Sequence, residues 1–147
     1  ISMIGLNDRR TLVMTVAQGR TASDDYIAAS EIQKDISKTH NGRLIGLFDL
    51  LIENSDRHGG NWFVSPDGEP VPIDHGFAWN GAGWSGGPFA AAIKDNPNLF
   101  TVAELNQIRE NIVGLESMFA EADSLDWLEY TLRQLDKQIV RAKEAGN

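Results

Sequence analysis

Near the middle of the chain, Trp62-Phe63-Val64 and Val71-Pro72-Ile73 stand on either side of Pro66-Asp67-Gly68. The flanking runs favour strands, proline presets a turn, and glycine accepts a left-handed backbone, so the stretch predicts a β-hairpin. A hairpin constrains the fold because it dictates which residues face each other, and two registers are open. With Asp67-Gly68 as a two-residue turn, Asn61 lies opposite Asp74. With Pro66 as the second residue of a type I turn and Gly68 left-handed, Asn61 faces Ile73 and Asp74 is one step along. Pro70 and Pro72 fall at non-hydrogen-bonded positions in both, where a missing N–H costs little. Either way Asn61 and Asp74 emerge together at the open end of the hairpin. The polar loop from Glu53 to Asn61 leads Asp56 into that same end. One amide and two carboxylates gathered there make a hard, oxygen-rich site suited to magnesium.

The elements around the hairpin are mostly helical. Thr11 to Val16 reads as a strand, ended by Gly19 and the polar run Thr21-Ala22-Ser23. Asp24 or Asp25 can cap a helix running to about Ser37, with Tyr26, Ala29, Ile32 and Ile36 at helical spacing. Asn41-Gly42 predicts another break. The run from Leu44 to Ile52 is apolar almost all round, as in a central buried helix. Glycines at 81, 83, 86 and 87, with no sustained period, predict a loop from Asn80 to Asn98. Thr101 and Glu104 match a capping box that opens a helix to about Ala122. Asp123 or Ser124 then caps a last helix with an apolar stripe at Leu125, Leu128, Leu132, Leu135 and Ile139. Its stripe reads as core packing, and Trp62 on its strand also reads as core. Glu53 reads as a helix-end carboxylate. The fold class expected is α+β, mostly helical, built around one central hairpin.

Composition narrows the function. A formal charge of −8, from 21 acidic and 13 basic residues, disfavours nucleic acid and anionic membrane as partners, because both are bound by clustered Lys and Arg. No apolar run approaches the roughly 18 residues of a transmembrane helix, and the N-terminus shows no signal-peptide pattern. Zero cysteines exclude disulfides and zinc-thiolate sites. A soluble, cytoplasmic protein is expected. His40, His58 and His75 lack the spacing of a zinc site.

An Asp, an Asn and a second Asp at one spot are what phosphoryl transfer requires: the first orients or deprotonates the attacking hydroxyl, and the others hold metal on the phosphates. In the protein-kinase pattern the base Asp stands five residues before the Asn, as Asp56 does before Asn61, and an Asp-Phe-Gly follows, matched here by Asp74-His75-Gly76. Asp56-Arg57-His58-Gly59-Gly60-Asn61 resembles the D-R-H-x-x-N loop of phosphatidylinositol 3/4-kinases and HipA-type kinases. Ile73-Asp74-His75-Gly76-Phe77-Ala78 is similar to the I-D-x-G-x-A segment of type II phosphatidylinositol 4-kinases. The close resemblance covers residues 44–79. It implies a protein-kinase-like C-terminal lobe over 1–147, with the catalytic loop, hairpin and metal segment in 44–79 and C-terminal helices in 100–147. It further implies ATP and Mg2+ as cofactors, Asp56 as base, and Asn61 and Asp74 as metal ligands. Arg57 and His58 would structure the loop or touch phosphates. Residues 1–20 would supply a hinge-like strand whose backbone at Val16 and Ala17 meets adenine.

The kinase glycine-rich loop, strand Lys and helix Glu are not evident before Asp56, so the N-terminal lobe is expected to come from the rest of a longer parent chain or from a partner. Residues 77–99 carry one lysine, Lys94, which speaks against a phosphoinositide acceptor. The expected function is an ATP-dependent phosphotransferase acting on a protein hydroxyl or small molecule. The alternative is a degenerate kinase-like lobe serving as a non-catalytic structural or interaction domain. Trp62, Trp79 and Trp84 flank the site as candidates for stacking on a ligand.

Overall fold

The computed structural model describes residues 2–6, 9–13, 19–21 and 35–147. Among these the chain is α+β and mostly helical. Strands β1 (Ser2–Leu6) and β2 (Arg9–Val13) pair antiparallel as one small sheet. Strand β3 (Arg20–Thr21) joins β4 (Trp62–Val64) and β5 (Pro70–Pro72) in a second, ordered β3-β4-β5. The sequence reading held a single strand in this N-terminal region. Both β1 and β3 are additions to it, because strands this short declare themselves by their partners more than by their composition. The helix expected over 24–37 falls largely outside the described residues, as does the strand end at Thr15-Val16-Ala17 with its candidate adenine-binding residues Val16 and Ala17.

The central hairpin takes the second of the two registers. Trp62 pairs with Pro72, Phe63 with Val71 and Val64 with Pro70. Ser65 and Gly68 close the turn, the Gly68 N–H donating to Ser65 O at 2.9 Å with Gly68 at φ 81°. A side chain at that left-handed residue would strain it, which is why glycine settles the register. The Ile73 N–H donates to Asn61 O at 3.0 Å, so Asn61 faces Ile73 and Asp74 lies one residue beyond.

Helix α1 (His40–Leu51) starts earlier than its apolar run suggested. Thr39 is its N-cap, with the side-chain oxygen accepting from the Gly42 N–H at 3.1 Å. Asn41-Gly42 therefore sits inside the first turn and does not break the chain, because a capping threonine two residues upstream satisfies the free amides there. The helix is central, yet Leu44 and Phe48 are exposed while Ile45, Leu47, Leu51 and the following Ile52 are buried.

The glycine-rich stretch is a loop only in part. Helix α2 (Pro88–Asp95) follows it, with proline in the first turn and three alanines in its body. Proline at a helix start and alanine within it both favour helix, and the preceding glycines had masked that signal. α2 lies against α1 at Gly46, where an added Cβ would come within 2.3 Å of Phe89 O. A 3-10 turn at Pro97–Leu99 leads to α3 (Val102–Val113), whose capping box joins Thr101 and Glu104 as expected. That helix stops at Gly114 instead of running to Ala122, and a short α4 (Glu116–Glu121) takes over. α5 (Leu125–Glu144) completes the fold, with Ser124 at its N-cap position.

Two apolar clusters hold these elements. In the larger, Leu47 and Leu51 of α1 meet Ile93, Phe100, Leu105, Leu135, Ile139 and Ala142. In the smaller, Trp62 and Phe89 pack edge to face at 4.9 Å beside Ile45 and Ile36. The α5 stripe is core at Leu128, Leu135 and Ile139, while Leu125 at its start is exposed. The hairpin is thereby fixed to α1 and α2 through Trp62, which sets the position of the loop between α1 and β4.

Candidate active site

The loop 53–61 runs from the end of α1 into β4, and one guanidinium organises it. All five N–H groups of Arg57 are used. Nε and Nη2 form a bidentate pair with Asp49 at 3.0 and 2.8 Å. Nη1 donates to Asn61 O at 2.6 Å and to Ile73 O at 2.5 Å. The second Nη2 hydrogen meets His75 Nδ1 at 2.9 Å. Both side chains of the ion pair are fully buried. Arg57 thus bridges the two carbonyls that face each other at the open end of the hairpin, directly beside Asn61 and Asp74. Its side chain is spent within the loop, all five donors having partners in Asp49, two carbonyls and His75.

Asp49 is the residue that sequence reasoning missed. It is a lone carboxylate inside the apolar run Leu44–Ile52, and a buried carboxylate needs a cation, so the signal was present. It also accepts from Asn54 Nδ2 at 3.1 Å, and Asn54 is itself fully buried. Asn54 Oδ1 in turn accepts the Asp56 N–H at 3.2 Å, which carries the buried network out to the candidate base.

Asp56 and Asn61 are in contact. Asn61 Nδ2 donates to Asp56 O at 2.7 Å and to Asp56 Oδ2 at 3.1 Å, so the amide oxygen Oδ1 is left as its acceptor. Asp74 sits one residue past the Asn61–Ile73 pair, exposed, with Oδ1 accepting the Gly76 N–H at 3.1 Å. Its φ of 52° is left-handed, a conformation that costs a non-glycine residue about 1 kcal/mol or more. Glu53 and Trp79 are left-handed as well, at φ 54° and 50°. Three such residues flanking one loop is the kind of stored strain that functional sites carry.

The two histidines have assignable tautomers. His58 Nδ1 accepts from the Gly60 N–H at 3.0 Å, which puts the proton of the neutral ring on Nε2, and that nitrogen stands 3.8 Å from Asp56 Oδ2. His75 Nδ1 accepts from Arg57, and burial followed by the nearby guanidinium lowers the pKa of the ring, opposed by Asp49 and Asp74. Its edge meets the Phe48 ring at 5.2 Å.

Glu53 does more than end a helix. It is buried, its Oε1 accepts the Gly83 N–H, and it hydrogen-bonds the Tyr130 hydroxyl. Burial and that carboxylate push the Tyr130 pKa up to about 12. The tryptophans divide cleanly. Trp62 is core, its indole N–H without a hydrogen-bond partner. Trp79 stacks on Trp127 at 4.9 Å and donates to Thr131 Oγ1 at 3.1 Å. Trp84 remains exposed beside the site.

The amide Oδ1 of Asn61 and the exposed carboxylate of Asp74 are both oxygen donors, the kind a hard divalent cation takes. Among the described residues no group of three or more His, Asp or Glu side chains is arranged to hold a metal. A carboxylate-amide set that shares its ion with phosphate oxygens needs no such group. No described helix is long and apolar enough to cross a membrane.

Residues 41–99 match the family model of phosphatidylinositol 3- and 4-kinase, a stretch that is under half of the chain and contains Asp49, the whole loop, the hairpin and Asp74. No curated protein and no solved structure matches the chain.

Proposed function

We propose that the chain is the large-lobe part of an ATP-dependent phosphotransferase of the phosphatidylinositol 3/4-kinase-like group. The observation that carries this reading is the Asp56–Asn61 contact at one end of a hairpin whose other strand leads into Asp74, inside the stretch that matches the kinase family. The Asp-Arg-His loop, shared in pattern with HipA-type kinases, supports it further. Asp56 is the base: its carboxylate is part-exposed, oriented by the Asn61 amide, and faced by the His58 Nε2 proton. Asn61 Oδ1 and Asp74 would hold magnesium, whose chemistry there is to neutralise charge on the transferred phosphoryl group. Arg57 and Asp49 position the loop from beneath. The acceptor is a protein hydroxyl or small molecule in preference to a phosphoinositide.

Calorimetry with Mg-ATP on the full-length parent tests the reading. Asp74→Ala is expected to abolish nucleotide binding. Asp56→Ala is expected to abolish transfer while nucleotide binding survives. A full-length parent that ignores Mg-ATP and transfers nothing instead carries the degenerate, non-catalytic lobe.

A further inference from the structure

A cleft of about 230 Å³ opens between the 83–85 segment, α2 and α5, and none of the residues assigned to phosphoryl transfer lines it. We propose that this cleft is a binding site for a small zwitterion of the amino-acid class, with the ligand's ammonium group on Glu53 and its carboxylate on Lys94. The proposal goes beyond the kinase reading and does not depend on it.

Glu53 supplies the first argument. It is only 4% exposed, and its backbone is held left-handed at φ 54°. Its partners are the Gly83 N–H and the Tyr130 hydroxyl, both neutral. Among the described residues no Lys, Arg or His forms an ion pair with it. A carboxylate can accept about four hydrogen bonds, and a buried one is stable when a cation answers its charge. Asp49, also buried, has Arg57 for that purpose. Glu53 instead borders a cleft.

Lys94 supplies the second. It is the one cation among the described residues lining the cleft, as Glu53 is the one carboxylate. Its Nζ donates to Ser85 O at 2.9 Å, which leaves two of its three N–H groups free and its charge without an anion. Neighbouring cations are engaged elsewhere. Arg133 pairs with Glu129 at 3.6 Å, and Arg141 donates to Gln138 Oε1 at 3.2 Å and to Lys94 O at 2.7 Å. A ligand with an ammonium group alone would face Lys94 unmatched, and one with a carboxylate alone would face Glu53. A zwitterion meets both charges with charge-assisted hydrogen bonds.

The third wall takes the rest of the ligand. Tyr130, Gln134 and Gln138 stand four residues apart on α5, so they form one row along the cleft, beside the core residues Leu128, Leu135 and Ile139. The Gln134 amide has no partner among the described residues, and Gln138 uses only its carbonyl oxygen. Two amides therefore remain for a polar side chain on the ligand. The volume lies under the roughly 300–1,000 Å³ of sites for drug-sized molecules and suits a single amino acid.

The test is calorimetry on the full-length parent, without nucleotide, against the common L-amino acids. At least one with a polar side chain is expected to bind. The matching amine without the carboxylate, and the matching acid without the amine, should each bind roughly tenfold or more weakly, the scale of one lost charge-assisted hydrogen bond. Lys94→Met, a change at an exposed residue, should weaken the amino acid by the same factor and leave the binding of the amine where it was. Lys137→Met, on the exposed face of α5 and outside the cleft, should change nothing. Glu53→Gln should weaken amino acid and amine alike. Because Glu53 also holds Gly83 and Tyr130, its urea midpoint is measured alongside, and if that variant unfolds the Lys94→Met result decides alone. Trp84 lines the cleft too, so the bound amino acid should alter tryptophan fluorescence, with the change lost in Trp84→Phe. Three results overturn the proposal: no amino acid binds, the amine binds as tightly as its amino acid, or Lys94→Met binds like the wild type.

Discussion

Two ion pairs in this protein have the same 2.8 Å separation and opposite environments. Asp49 and Arg57 are fully buried, whereas Arg109 and Asp136 are 42% and 51% exposed. Consider Asp49→Ala. The guanidinium stays inside with its hydrogen bonds to Asn61 O, Ile73 O and His75, but Nε and one Nη2 hydrogen lose their acceptor and the charge loses its counter-ion. Removing one partner of a buried pair costs about 3–5 kcal/mol, a large share of a total stability of roughly 5–15 kcal/mol. Asp136→Ala removes a pair that water already screens, worth about 0–1 kcal/mol. Urea denaturation separates the two cases. With a slope of about 2 kcal/mol per molar, the Asp49→Ala midpoint should fall by on the order of 2 M and that of Asp136→Ala by less than about 0.5 M. Asp49→Leu combined with Arg57→Met should recover only part of the loss, because it removes the stranded charge but leaves Asn61 O, Ile73 O and the buried Asn54 amide without these partners. Equal midpoints for the two alanine variants would refute the argument that burial makes Asp49 the anchor of the loop.

Other consequences are smaller. Gly87→Ala places a methyl group 2.5 Å from Arg57 O at a residue with φ 92°, and should destabilise by about 1–3 kcal/mol with Trp84 fluorescence altered. Thr101→Ala deletes the acceptor for the Glu104 N–H and should cost about 1 kcal/mol in the same urea assay, with the helical signal of α3 reduced. Tyr130 holds its proton more tightly folded than unfolded, so its contribution to stability is complete below pH 10 and is lost as pH rises from there through about 12. Tyr130→Phe should flatten that alkaline decline, and ultraviolet titration should show the late-ionising phenol missing from the variant.

What the sequence determined by itself was local. The capping box at Thr101 and Glu104 spans three residues, the turn at Pro66-Asp67-Gly68 is closed by its own neighbours, and the five-residue step from Asp56 to Asn61 is bridged by one amide. Interactions of that range depend on the backbone between them, which composition dictates. Choice between the two hairpin registers, the early start of α1 and the existence of α2 hung on details that propensity weighs too coarsely. The rest was decided by packing. Asp49 lies eight residues from Arg57, and Ile73 sixteen on the other side, yet a single guanidinium joins them because the Trp62–Phe89 contact holds the hairpin on α1 and α2. Of the three tryptophans near the loop, Trp62 read as core and is core, whereas Trp79 proved to be a stacked pair member and Trp84 stays exposed. Burial is a property of the whole molecule, and it sets Arg57, paired with Asp49, beneath Asn61 and Asp74.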